Sequence, residues 1–258
     1  MKILLVGNSH SATLMRGFAH LAPHCPAVSL TAFAHYHRFF GFFAADEATG
    51  RIQMTHPAIR HRFIKTHGGD GSFRPLDYDV CIIIGGYWLW PGMVLGRHSR
   101  AFEAALVEEQ VETMHPMVLL RKIRAVSDIP ALIICNPFRA SRGEMLPDAK
   151  AEPNNGAALI NAVLTPRHDA RLITQPPETL LHPRQTRLEY AVGEAMWGNW
   201  PNSGFEPYLY DDMLHMNTAY GVLLMRQILR DLGQEIGAVD IPPAEGHLPY
   251  AQKTRPGP

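Results

Sequence analysis

The sequence predicts an α/β protein, a three-layer α/β/α sandwich around a mostly parallel sheet. Three observations predict it. Short, continuous apolar runs recur along the 258 residues, and several end in Gly or Asn-Pro. Segments with apolar residues at helical spacing separate these runs. A strongly marked helix follows the last run, with a capping residue at one end and a glycine at the other. The length suits one large α/β domain or two small ones. No composition break or internal repeat divides residues 1–240, which are expected to form a single domain, with 35–75 as an insertion. Residues 241–258 are Pro-rich and read as a C-terminal arm.

The first strand is expected over residues 2–6, where Ile3-Leu4-Leu5-Val6 runs into Gly7. An unbroken apolar run of this kind suits a strand covered on both faces. Residues 11–20 then read as a helix, with Leu14, Met15 and Phe18 on one face and Ser9 or Ser11 as cap. Residues 27–33 are a second strand. Phe39 to Thr55, with a turn signal at Ala48-Thr49-Gly50, reads as an inserted hairpin, and His56 to His67 as a short helix. The third strand is the clearest, Val80-Cys81-Ile82-Ile83-Ile84, closed by Gly85-Gly86. Residues 99–126 have helical spacing, and Pro116 should kink or split them. Ala131 to Cys135 is a fourth strand, closed by Asn136-Pro137. A loop over 138–153, a helix over 154–164 opened by Asn154 or Asn155, and a short fifth strand from Arg171 to Thr174 follow. Residues 184–196 read as a further helix. In the last helix Asn217 caps, Tyr220, Leu224, Ile228 and Leu232 face inward, and Gly233 ends it.

Charge excludes some partners. Lys plus Arg and Asp plus Glu are 24 each, so no basic field is present to hold nucleic acid or an anionic membrane surface. No apolar stretch is long enough to span a bilayer. The run at residues 3–6 is too short for a signal peptide and lacks a cleavage-site pattern, so a cytoplasmic location is expected. Cys25, Cys81 and Cys135 are too few and too scattered for a disulfide framework or a zinc site. His35-Tyr36-His37, with His56, His61 and His67, lacks acidic or Cys ligands at metal spacing, so no metal is expected.

Two short segments carry the chemistry. Ser9 lies at the carboxyl end of the first strand and before a helix, where open parallel sheets bind ligands. A helix N-terminus adds partial positive charge there. Asp212-Met213-Leu214-His215 precedes the last helix. Three residues of separation allow a carboxylate to hold one imidazole nitrogen while the other faces a serine, the arrangement acyl transfer needs. The order Ser, Asp, His also fits α/β hydrolytic folds.

Gly7-Asn8-Ser9-His10 and Asp212-x-x-His215 resemble the first and last signature blocks of the SGNH (GDSL-like) hydrolases, with Asn8 where the family usually has Asp. The resemblance implies a flavodoxin-like five-stranded sheet of order 2-1-3-4-5 and no cofactor. It implies Ser9 as nucleophile, His215 as base and Asp212 as its partner. It also implies a Gly after the second strand and G-x-N-D after the third, both supplying oxyanion donors. No clear equivalent of the first is visible. After the third strand, Gly85 matches the Gly and Tyr87 stands where the Asn is expected. The Gly86 N–H, the Tyr87 hydroxyl and Asn136 are the alternatives for that donor. Losing one such donor costs about 10²–10³ in rate. Tyr87, Trp88 and Trp90 form either a stacking surface for substrate or core packing under a loop.

The function expected is serine-dependent hydrolysis of a small acyl ester, with an acylated glycan as one substrate class. Acyl transfer to a sugar hydroxyl uses the same residues. A non-catalytic binding module on the same fold is the reading from another class, favoured by the absence of Asn at position 87 and opposed by Ser9, Asp212 and His215. A nucleotide site is disfavoured, because neither G-x-G-x-x-G nor G-K-[ST] follows the first strand.

Overall fold

The computed structural model describes residues 1–35, 39–67, 69–86, 98–142, 151–182, 184–192 and 213–242. Strand β1 (Lys2–Gly7) is followed by helix α1 (Ser11–Leu21) and β2 (Ser29–Ala34). The segment expected as a hairpin forms β3 (Phe43–Asp46) and β4 (Arg51–Met54), then α2 (Pro57–His67) and β5 (Ser72–Phe73). Next come β6 (Val80–Ile84), α3 (Arg100–Thr113), α4 (His115–Arg124) and β7 (Ala131–Ile134). The chain continues through β8 (Ala140–Ser141), α5 (Ala151–His168), β9 (Ala170–Ile173), β10 (Leu180–His182) and β11 (Gln185–Arg187) to α6 (Thr218–Asp231).

The main sheet has five parallel strands in the order β2-β1-β6-β7-β9. In chain order of the five this is 2-1-3-4-5, the doubly wound order implied by the resemblance. Its central strands β1, β6 and β7 are apolar and buried almost throughout, as strands covered on both faces must be. One core layer joins Leu4, Val6, Cys81, Ile83 and Ile133 to α4 and α5. The other joins Ile3, Leu5, Ile82 and Ile134 to α1 and α6. Burial pushes the Cys81 thiol up to about 12, so it behaves as a small apolar side chain. The three cysteines are free.

Pro116 divides the helical stretch as expected. It lies in the first turn of α4, where a missing N–H costs nothing. Four local readings are corrected. Neither serine caps α1: His10 holds the N-cap position, and its side chain makes no capping bond. Helix α5 begins at Ala151, earlier than Asn154, because Pro153 is tolerated in a first turn. The loop expected over 138–153 therefore contains β8 and the start of α5, and its residues 143–150 lie outside the described residues. Gln185–Arg187 is a strand paired with β8 and β10, and Leu188–Tyr190 is a single 3₁₀ turn, so the helix expected from 184 does not form there. Buried Thr186 explains this. Its hydroxyl donates to the Phe138 carbonyl at 2.6 Å and accepts from Gln175 at 2.9 Å, fixing the segment as the middle strand between β10 and β8.

Candidate active site

Asn8 and Ser9 follow β1 directly, at the carboxyl end of the sheet. Gly7 is required for this placement. A Cβ there would lie 2.1 Å from Ile84 Cγ2 and 2.3 Å from Ser11 Oγ, so only glycine lets β1, β6 and the start of α1 approach so closely. His215 lies three residues before α6, whose first turn is capped by Asn217 accepting from the Tyr220 N–H at 3.2 Å.

Although 206 positions apart in sequence, Ser9 Oγ and His215 Nε2 are 2.7 Å apart. The distance is within hydrogen-bond reach of a nucleophile and its base. With Nε2 facing the serine, Nδ1 is the nitrogen left for an orienting group. Asp212 lies outside the described residues, as do Tyr87, Trp88 and Trp90.

The loop carrying His215 is fastened along its length. The Met213 carbonyl accepts from the Ala140 N–H of β8 at 2.7 Å. The Met216 carbonyl accepts from Thr13 Oγ1 at 2.7 Å and Arg16 Nη2 at 2.9 Å, both on α1. Asn217 donates through its backbone N–H to Tyr190, and through its amide to the carbonyls of Glu189 and Val192. The His10 ring stacks on the His215 ring, with centroids 4.6 Å apart and planes 22° from parallel. His10 is buried, in keeping with a residue that completes the turn and supports its neighbour.

A second set of contacts joins the ends of three strands. The Asn8 N–H donates to the Ile84 carbonyl at 3.2 Å, and the Asn136 N–H to the Gly86 carbonyl at 3.1 Å. Asn8 Nδ2 donates to Asn136 Oδ1 at 2.9 Å. Gly85 and Gly86, both at positive φ, turn the chain away from β6 beneath this bridge. Gly85, Gly86 and Asn136 therefore gather beside Asn8 and Ser9. Burial pushes the Cys135 thiol and the Tyr220 phenol up, which keeps both neutral in the elements that carry the site.

Sequence reasoning reached Ser9, His215 and Asn136 but not the partners that hold them. Thr13 and Arg16 lie in no motif, and the motif that contains Asn8 does not reveal its bond to Asn136. Thr13 offers one signal, a polar residue at 3 % exposure on a helix face that should be apolar, legible only after folding. Among the described residues no group of three His, Cys, Asp or Glu converges as metal ligands do. None of the described helices is long and apolar enough to cross a membrane.

No family model and no curated sequence matches the chain. Among solved structures, it is similar to the periplasmic domain of a lipopolysaccharide acetyltransferase from Salmonella ser. Paratyphi A. The identity is 12 % over 90 % of this chain and 84 % of that one, with a TM-score of 0.47. It is similar to a possible lipase of Chitinophaga pinensis, at 15 % identity over 91 % and 99 % of the two chains, with a TM-score of 0.41. It is also similar to the C-terminal catalytic domain of peptidoglycan O-acetyltransferase A from Streptococcus pneumoniae, at 10 % identity over 92 % and 97 %, with a TM-score of 0.33.

Proposed function

We propose that this chain is a serine-dependent acyl-ester enzyme of SGNH type, an esterase or deacylase acting on small acyl esters. The observation that carries this reading is the 2.7 Å contact between Ser9 Oγ and His215 Nε2 at the carboxyl end of a parallel sheet.

In the first step Ser9 Oγ bonds to the ester carbonyl carbon while His215 Nε2 takes the serine proton. The carbonyl π pair moves onto oxygen and is held by the N–H groups of Ser9 and Gly86. Collapse of this intermediate breaks the bond to the alcohol oxygen, which leaves with the proton from His215 Nε2. Water then attacks the acyl-serine and gives its proton to His215. The second collapse breaks the acyl bond to Ser9 Oγ, which takes that proton back from His215 Nε2, and releases the carboxylic acid. Asp212 is assigned to His215 Nδ1, holding the tautomer and stabilising the imidazolium. A sugar hydroxyl replacing water in the second half converts hydrolysis into transfer, with every other bond change the same.

The wild-type protein is expected to hydrolyse p-nitrophenyl acetate and to be labelled at Ser9 by a fluorophosphonate. Ser9→Ala and His215→Ala should each lower kcat by about 10⁴–10⁶-fold, because members of such a unit fail together. Normal labelling of Ser9→Ala overturns the assignment. Adding a sugar acceptor to the wild-type reaction and counting acylated sugar against free acid separates transfer from hydrolysis.

A further inference from the structure

We infer that His10 is a positioning residue for His215: the face of its ring sets the plane of the His215 imidazole and steadies the charge that ring takes on during acyl transfer. The inference rests on the acyl-transfer reading of Ser9 and His215 and adds to it a residue that acts through His215 rather than on the ester.

Two consecutive residues grip the imidazole in different ways. Ser9 Oγ lies 2.7 Å from His215 Nε2, at the edge of the ring. His10 meets the same ring face to face, with centroids 4.6 Å apart and planes 22° from parallel. The two contacts restrain different motions. A single hydrogen bond sets the direction of Nε2 but leaves a ring able to turn about the line joining the bonded atoms. A stacked ring removes that turn. Together they fix where Nδ1 points, the nitrogen assigned above to Asp212.

The His10 ring leaves a backbone that is itself held. The His10 N–H donates to Asn8 Oδ1 at 3.1 Å, and the His10 carbonyl accepts from the Thr13 N–H at 3.2 Å as α1 begins. His10 is 5 % exposed, whereas Ser9 and His215 are half-buried. A ligand that reaches Ser9 and His215 therefore meets little of His10, which leaves His215 as the group through which His10 acts.

The stack also favours the charged form that the reaction requires. Taking the serine proton makes His215 a cation, and a cation over an aromatic face is stabilised, more so away from water. Two charged rings this close would repel strongly, so His10 is the neutral member of the pair whenever His215 carries the proton. An aliphatic side chain of similar size fills the same space but offers no such face.

Steady-state kinetics on p-nitrophenyl acetate test this, with urea unfolding run alongside to establish that each variant is folded. His10→Leu is expected to lower kcat by about 5–30-fold with KM within a few-fold, the pattern of a contact that matters in the transition state. His10→Phe keeps an aromatic face and lacks the ring nitrogens, so its kcat should stay within about threefold of wild type. In a His215→Ala background, His10→Leu should have almost no further effect on the residual rate of Ser9 labelling by a fluorophosphonate, because its action passes through His215.

His10→Leu with kcat within about threefold of wild type overturns the inference. So does a folded His10→Phe that loses as much as His10→Leu, because the ring face is then not what counts. If His10→Phe fails to fold, the double variant decides, and an undiminished His10→Leu loss in the His215→Ala background overturns the proposal. If His10→Leu fails to fold, His10→Met, equally without a ring, takes its place under the same criteria. Labelling of wild type at Ser9 by fluorophosphonate separates the two layers. Labelled wild type with unaffected His10 variants removes only this inference, whereas unlabelled wild type removes the acyl-transfer reading and this inference with it.

Discussion

Thr13 Oγ1 donates to the Met216 carbonyl at 2.7 Å from a buried position, one peptide beyond His215. Through it, the helix that Ser9 leads into also holds the loop that carries His215. Arg16 reaches the same carbonyl, so removing the Thr13 hydroxyl leaves that oxygen one partner. Thr13→Val, close to isosteric, should therefore cost only about 1 kcal/mol in urea unfolding. Its kinetic effect should be larger than that figure suggests. A misplacement of about 1 Å can cost about 10² in rate, and a partial release of the loop should lower kcat by about tenfold. An unchanged kcat in a destabilised variant would show that Arg16 suffices. At this scale the sequence marks the residues with intrinsic chemistry, Ser9 and His215, through short motifs. It does not mark Thr13, because nothing local signals a bond spanning 203 positions. Asn136 is intermediate: its place after a strand is legible, but its orientation depends on Asn8 and a backbone N–H.

Helices α1 and α6 meet at Gly17 and Gly221 with no room for a side chain. A Cβ on Gly17 would lie 2.2 Å from the Gly221 carbonyl carbon and oxygen, and one on Gly221 would lie 2.1 Å from the Thr13 carbonyl oxygen. The obstructing atoms are backbone, so no rotamer change relieves the clash and the helices must separate. Gly17→Ala should destabilise by about 1–3 kcal/mol or somewhat more. A helix interior otherwise gains about 0.5–1 kcal/mol from Gly→Ala, so destabilisation has a sign opposite to propensity. The helices lead away from Ser9 and His215, so kcat should also fall while the protein remains folded. Urea titration with kinetics below the transition checks both. Elements of this kind were largely legible. The strands could be read because burial on both faces gives unbroken apolar runs, and α6 because Asn217 and Gly233 punctuate it. The beginning of α5 and the strand at Gln185–Arg187 were not, since a first-turn proline reads as a loop and the pairing of this short strand is set by Thr186 and its distant partners.

The small antiparallel sheet β3-β4-β5 is attached to the main fold by aromatic rings. Phe63 of α2 lies 5.5 Å from Phe33, 6.0 Å from Phe39 and 6.2 Å from Phe43, between centroids. Phe33 belongs to β2 of the main sheet and also meets Phe73 of β5 at 4.9 Å. From the other side, Lys122 of α4 donates to the carbonyls of Phe40, Gly41 and Phe43, and its burial lowers the ammonium pKa. Phe39, Phe43, Ile52, Met54 and Phe73 therefore share one apolar cluster with Leu4, Val6 and Ile83 of the main sheet. A two- or three-stranded sheet this short has little stability of its own. The insertion should then unfold with the α/β core in a single transition. Hydrogen exchange in rising urea tests this, since peptides from 43–54 and from 80–84 should converge on one opening free energy before global unfolding. Phe63→Ala should remove about 3–5 kcal/mol and lower both peptides together, because the ring joins the two sheets. Loss of protection in 43–54 alone would show that the insertion is a separate unit and that 1–240 is not one cooperative domain.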